Sequence, residues 1–116
     1  MLTLHATDDS VIQQISLEEN HSYSFRVNIV GQSTADPSVD RIAFTHAQVV
    51  AFRSGSGSCV LIGSPTLTVT SDGSDAALLT GTISVSGNSM VLTINRNAAT
   101  LAYNFRFSAL FTDIGA

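Results

Sequence analysis

Ser22-Tyr23-Ser24-Phe25-Arg26-Val27-Asn28-Ile29-Val30 places apolar residues at the odd positions and polar ones at the even positions until its end. A period of two sends one row of side chains into a core and the other into solvent, so the stretch reads as a half-buried β-strand. The same alternation recurs along most of the chain. Its longest run is 42–53, where the even positions hold Ile42, Phe44, His46, Gln48, Val50 and Phe52. That row is expected to face inward, leaving Ala43, Thr45, Ala47, Val49 and Ala51 as a small-residue face for another sheet or chain. The last run, 101–111, puts Leu101, Tyr103, Phe105, Phe107, Ala109 and Phe111 on one side, with Asn104, Arg106 and Ser108 on the other.

Between these runs the chain is punctuated by turn chemistry. Asp8-Asp9-Ser10 separates two short apolar pieces at 2–6 and 10–17, and Glu18-Glu19-Asn20-His21 leads into the opening strand. Residues 31–40, with Gly, Asp-Pro and two Ser, read as a loop, as do 54–58 and 71–74. Ser86-Gly87-Asn88-Ser89 is the sharpest local signal, because Gly-Asn between alternating runs fits a two-residue hairpin turn. About eight strands result, and no helix. Such a chain closes as an all-β, antiparallel β-sandwich, jelly-roll-like in connection or barrel-like in closure.

The chain has 116 residues, the size of one domain, with 44% hydrophobic and only 12% charged residues. Typical soluble domains carry about 25% charged residues. There is no Lys, and the five Arg are scattered at 26, 41, 53, 96 and 106. Lysine is a common protector of exposed sheet edges, so its absence points to a subunit whose surface is covered by neighbours. A formal charge of −4 without a basic cluster excludes an electrostatic footprint for nucleic acid or anionic membrane. No run approaches the roughly 20 apolar residues of a membrane span. The start, Met1 to Asp9, lacks the pattern of a secretory signal, and Cys59 is alone, so no internal disulfide forms.

The groups that could carry chemistry have plainer readings. His46 on an inward row would be a hydrogen-bonded core group or a subunit contact. His5, His21 and His46 lack zinc-ligand spacing. Asp72 and Asp75 flank Gly73 but fall short of the six to eight oxygens that calcium takes, so they read as turn residues. Asp8-Asp9 and Glu18-Glu19 point apart in extended chain and make no acid–base pair. The serines at 54–58 have no nucleophile-elbow or phosphate-loop spacing, and Tyr23 and Tyr103 fall on apolar faces. We therefore expect no catalytic, cofactor-binding or metal-binding residue, and no enzyme.

Three segments resemble the small β-sandwich domains of tailed-bacteriophage virion structural proteins. One is Tyr23-Ser-Phe-Arg-Val-Asn-Ile-Val30, entered from Glu19-Asn-His-Ser22. A second is Val49-Val-Ala-Phe-Arg53 with its Gly/Ser loop, followed by Val60-Leu-Ile-Gly63. The third is the hairpin Val85-Ser-Gly-Asn-Ser-Met-Val-Leu-Thr-Ile94 before a final aromatic strand. The resemblance spans residues 15–112. Where such domains often carry Trp in and before the final segments, this chain has Tyr103, Phe105 and Ala77-Leu78-Leu79. What the resemblance implies is a virion protein of the capsid-decoration, head-fibre or tail-fibre kind, commonly a homotrimer, whose partners are its own copies and other capsid or tail proteins. A rival expectation is a tail-fibre tip that binds a receptor or glycan through loops 31–41, 54–58 and 71–76. Residues 1–17 are expected to form a strand, or an arm that pairs with a neighbour, ahead of a sandwich at 18–116.

Overall fold

The computed structural model describes residues 1–35 and 38–115, so the Asp-Pro pair at 36–37 lies outside the described residues. Among the described residues nine strands form: β1 (Leu2–Leu4), β2 (Ser10–Ser16), β3 (His21–Ser33), β4 (Arg41–Arg53), β5 (Cys59–Leu61), β6 (Thr68–Asp72), β7 (Thr80–Ser86), β8 (Ser89–Asn95) and β9 (Tyr103–Gly115). A single 3-10 turn at Ala76–Leu78 precedes β7. The expected antiparallel sandwich is what these strands build. The larger sheet runs β1-β9-β3-β4-β5, with β6 also on β4, and the smaller runs β2-β8-β7.

The inner rows supply the core. Phe25, Val27 and Ile29 of β3, Tyr103 and Phe105 of β9, Ile42 and Phe44 of β4, and Met90, Leu92 and Ile94 of β8 are all buried. Alternation on β3 is the reason its odd residues reach this layer while Arg26, Asn28 and Val30 stay outside. At the β7–β8 turn, Ser86 pairs with Ser89 and Gly87 takes φ +56°, the geometry of a two-residue hairpin with glycine first.

Two expectations from the sequence change. The even row of β4 does not stay inward along its whole length. Phe25 pairs with Val49 and Val27 with His46, so Arg26 faces two residues, Ala47 and Gln48. This bulge flips the phase, because one extra residue turns every later side chain to the other face. Ile42 and Phe44 are buried before it, Val49 and Ala51 after it, and Gln48 is exposed. The edge strand breaks at the same place. β5 pairs with 51–53 and β6 with 41–45 of β4, while the chain between them crosses the bulge.

The second change concerns β9, which does not bury its whole aromatic row. Tyr103 and Phe105 are fully enclosed, whereas Phe111 is 59% exposed. Of the two forms expected for residues 1–17, a strand or an arm, the chain shows strands, one in each sheet. β1 pairs with β9 and β2 with β8, and Leu4 is completely buried.

Candidate interaction surface

The titratable groups singled out in the sequence are dispersed by the fold and hold structure. Asp72 pairs with Arg41 at 2.8 Å across the β6–β4 ladder. Asp75 turns elsewhere and accepts from the Thr100 and Leu101 amides, the Thr100 hydroxyl and, at 2.6 Å, the Tyr103 hydroxyl. Partial burial pushes the Asp75 carboxyl up, but these donors outweigh it and hold the group below the usual carboxylate range. Burial first, and then the same contact with Asp75, drive the Tyr103 phenol far above its ordinary value. Gly73, between the two aspartates, has φ +94°, and a Cβ there would lie 2.2 Å from Asp40 Oδ1. The two carboxylates therefore do not converge on a cation position. Among the described residues no three His, Cys, Asp or Glu side chains group as metal ligands would.

The histidines separate likewise. His5 Nδ1 meets Asp8 at 3.2 Å, and His46 Nδ1 meets the Thr66 carbonyl at 2.7 Å beside the bulge. His21 lies between Asp113, 2.9 Å from Nδ1, and Glu18, 3.4 Å from Nε2, with its ring stacked on Tyr23. Both histidine-paired aspartates titrate low. At Asp8 the His5 amide is the main cause; at Asp113 burial opposes and the His21 and Gly115 hydrogen bonds prevail. Burial raises the Cys59 thiol.

One of the five scattered arginines is densely bonded in the fold. Arg96, 7% exposed, sends its guanidinium to the carbonyls of Asp8, Ala99, Leu101, Leu4 and His5. It joins the β1–β2 turn to the approach to β9. Arg53 does a smaller version of the same job, donating to Gly57 and Leu17 carbonyls. Of the five arginine side chains, those of Arg26 and Arg106 alone make no ion pair or hydrogen bond among the described residues, and both lie on the outer row of the large sheet.

What the fold leaves open is one side of the sandwich. β2 pairs with β8 only, and β9 beyond residue 105 pairs with β3 only, so each sheet ends there in an unpartnered strand edge. Between these edges runs a groove lined by Gln13, Ile15, Leu92, Phe107, Ala109 and Phe111. Phe111 touches Tyr23 and Phe25 by its ring while presenting most of its surface outward. Leu110, on the other face of β9, is 66% exposed.

The opposite side is closed. A Cβ on Gly81 of β7 would meet Phe44 and Leu67 near 3 Å, and the Cys59 amide bonds the Gly87 carbonyl across the gap. β2 itself carries no charge, Pro, Gly or bulge over Ser10–Ser16, and thus none of the usual edge protections. The loops 31–41, 54–58 and 71–76 do not meet at one end. Asp40 and Arg41 contact Ala76 and Asp72, whereas Gly55 bonds Asn20 at the far end of the β3–β4 pair.

No protein-family model matches the chain, and no curated protein is similar to it.

Proposed function

We propose that this chain is a non-enzymatic structural subunit of a tailed-bacteriophage virion, a capsid-decoration or fibre-attachment protein that works by binding other subunits. The observation that carries the reading is the open side of the sandwich, where two bare strand edges flank an apolar groove. A strand edge offers rows of unpaired N–H and C=O groups, which another polypeptide satisfies. The low charge and absent lysine fit a surface held against neighbours, and the resemblance of residues 15–112 supplies the virion setting. Loops placed at opposite ends of the long sheet speak against a single receptor-binding tip.

Cosedimentation tests this reading. Purified protein is expected to travel with capsids or with isolated tails in a density gradient, and to leave host cells unlabelled. Binding to cells together with failure to bind either particle would overturn it.

A further inference from the structure

The β2 edge has a preferred occupant. We propose that β2 pairs antiparallel with β2 of a second copy about a two-fold axis at Gln13, fusing two three-stranded sheets into one of six. This inference rests on the reading of the open side as a protein contact, and goes beyond it by fixing the partner and the register.

Parity sets the pairing. The Asp9 carbonyl bonds the Arg96 amide and the Leu17 amide bonds the Asn88 carbonyl, so odd residues of this segment face β8. In an antiparallel ladder the alternate residues direct their backbone groups the other way. The free edge therefore belongs to Ser10, Ile12, Gln14 and Ser16. Opposed residues share a face, so a pairing that keeps both inner rows inward joins even to even and odd to odd. Centring on Gln13 uses the whole strand. Ser10 then opposes Ser16 of the second copy and Ile12 opposes Gln14, for about eight inter-copy bonds.

The side chains agree. On the inner row Val11 opposes Ile15 of the other copy, and Gln13 opposes itself. A carboxamide both donates and accepts, so two Gln13 side chains satisfy each other across the axis. In the isolated chain Gln13 Nε2 reaches only the Gln14 carbonyl at 3.3 Å, an edge acceptor that the partner strand would take over. No charge lies on Ser10–Ser16, so no like charges oppose within the paired strands themselves; the acidic pairs Asp8-Asp9 and Glu18-Glu19 lie beyond their ends. A seven-residue edge alone falls short of the roughly 1,200 Å² of a stable interface. The adjoining groove with Phe107, Ala109 and exposed Phe111 offers further apolar surface beside the edge on each copy.

Cysteine cross-linking of the full chain reads the register directly. Facing residues outside the hydrogen-bonded pairs lie at a Cα separation of about 4.5 Å, within reach of a disulfide. Gln13→Cys should give a covalent dimer under copper–phenanthroline oxidation. Ile12→Cys and Gln14→Cys should each stay largely single and cross-link when mixed. The remaining thiol, Cys59, is buried. As a non-covalent check, Ile12→Lys/Gln14→Lys should be monomeric by sedimentation equilibrium and should associate with Ile12→Glu/Gln14→Glu, each with unchanged circular dichroism. A folded Gln13→Cys protein that stays monomeric, or equal self-linking at all three positions, would overturn the proposal. Particle binding without this cross-link would sink the register alone, and the cross-link without particle binding would sink the virion role alone.

Discussion

Arg96 is where a single side chain does most to hold the fold. Its buried guanidinium answers five backbone carbonyls, those of Leu4, His5 and Asp8 at the end of β1 and the β1–β2 connection, and those of Ala99 and Leu101 on the way to β9. The His5 carbonyl keeps the Asp8 amide when the guanidinium is removed, but the others lose this donor, and each buried unsatisfied group costs about 1–3 kcal/mol. Arg96→Met should therefore cost at least about 3 kcal/mol in urea unfolding, and Arg96→Lys should recover only part, since an ammonium has three donors where the guanidinium has five. Asp75 acts at the same scale through four donors. Asp75→Asn should lose about 1–3 kcal/mol at neutral pH.

The sign of the acid dependence follows from the depressed carboxyls. Asp8, Asp75 and Asp113 all titrate below the ordinary 3.8 in the folded chain, so the unfolded chain binds protons first as pH falls. Their contribution is whole above about pH 5, and it fades as pH drops through 3.8 toward the folded values. Denaturation midpoints measured from pH 6 to pH 2 should show this fall, shallower in Asp75→Asn.

At the scale of elements, the centre of the large sheet depends on a glycine inside a strand. Gly31 of β3 sits opposite Phe105 of β9, whose ring lies where a Cβ would fall, 2.3 Å from its Cε1. Gly31→Ala must push out a fully buried ring, and overpacking of this kind costs about 1–3 kcal/mol. Thermal melts of this variant should show the loss, while Gly87→Ala, with open space around its Cβ, tests only the cost of its positive φ. The β4 bulge belongs to this scale too. Alternation from Ile42 to Phe52 looks unbroken in the sequence because Val50 and Phe52 extend the even row. Nothing local marks the slip at Ala47 and Gln48, since it is a relation between β3 and β4. Where a glycine or a turn dipeptide carried the signal, as at Ser86-Gly87-Asn88-Ser89, the hairpin was legible.

The whole molecule is elongated, 46 × 25 × 22 Å, because three 13-residue strands outrun the seven-residue strands stacked on them. Residues 1–17 tie the two sheets together at the open side, with β1 on β9, β2 on β8 and the Arg96 guanidinium on the turn between them. Deleting residues 1–12 should thus unfold the domain, removing all of β1 with its buried Leu4 and the first three of the seven residues of β2. Circular dichroism and one-dimensional NMR of the truncated chain check this. A native-like spectrum would return these residues to the status of a detachable arm.

The period of two in the sequence determined that the chain forms strands, that β3 buries its odd row and that two sheets must stack, because burial of alternate side chains is a local property of extended backbone. Hairpin chemistry at Gly87 was local as well. Which strand ends up at an edge, where β4 slips its register, and that Arg96 gathers carbonyls from Leu4 to Leu101 were settled only by the tertiary structure. Those are pairings between residues distant along the chain, and one-strand patterning carries no information about its partner.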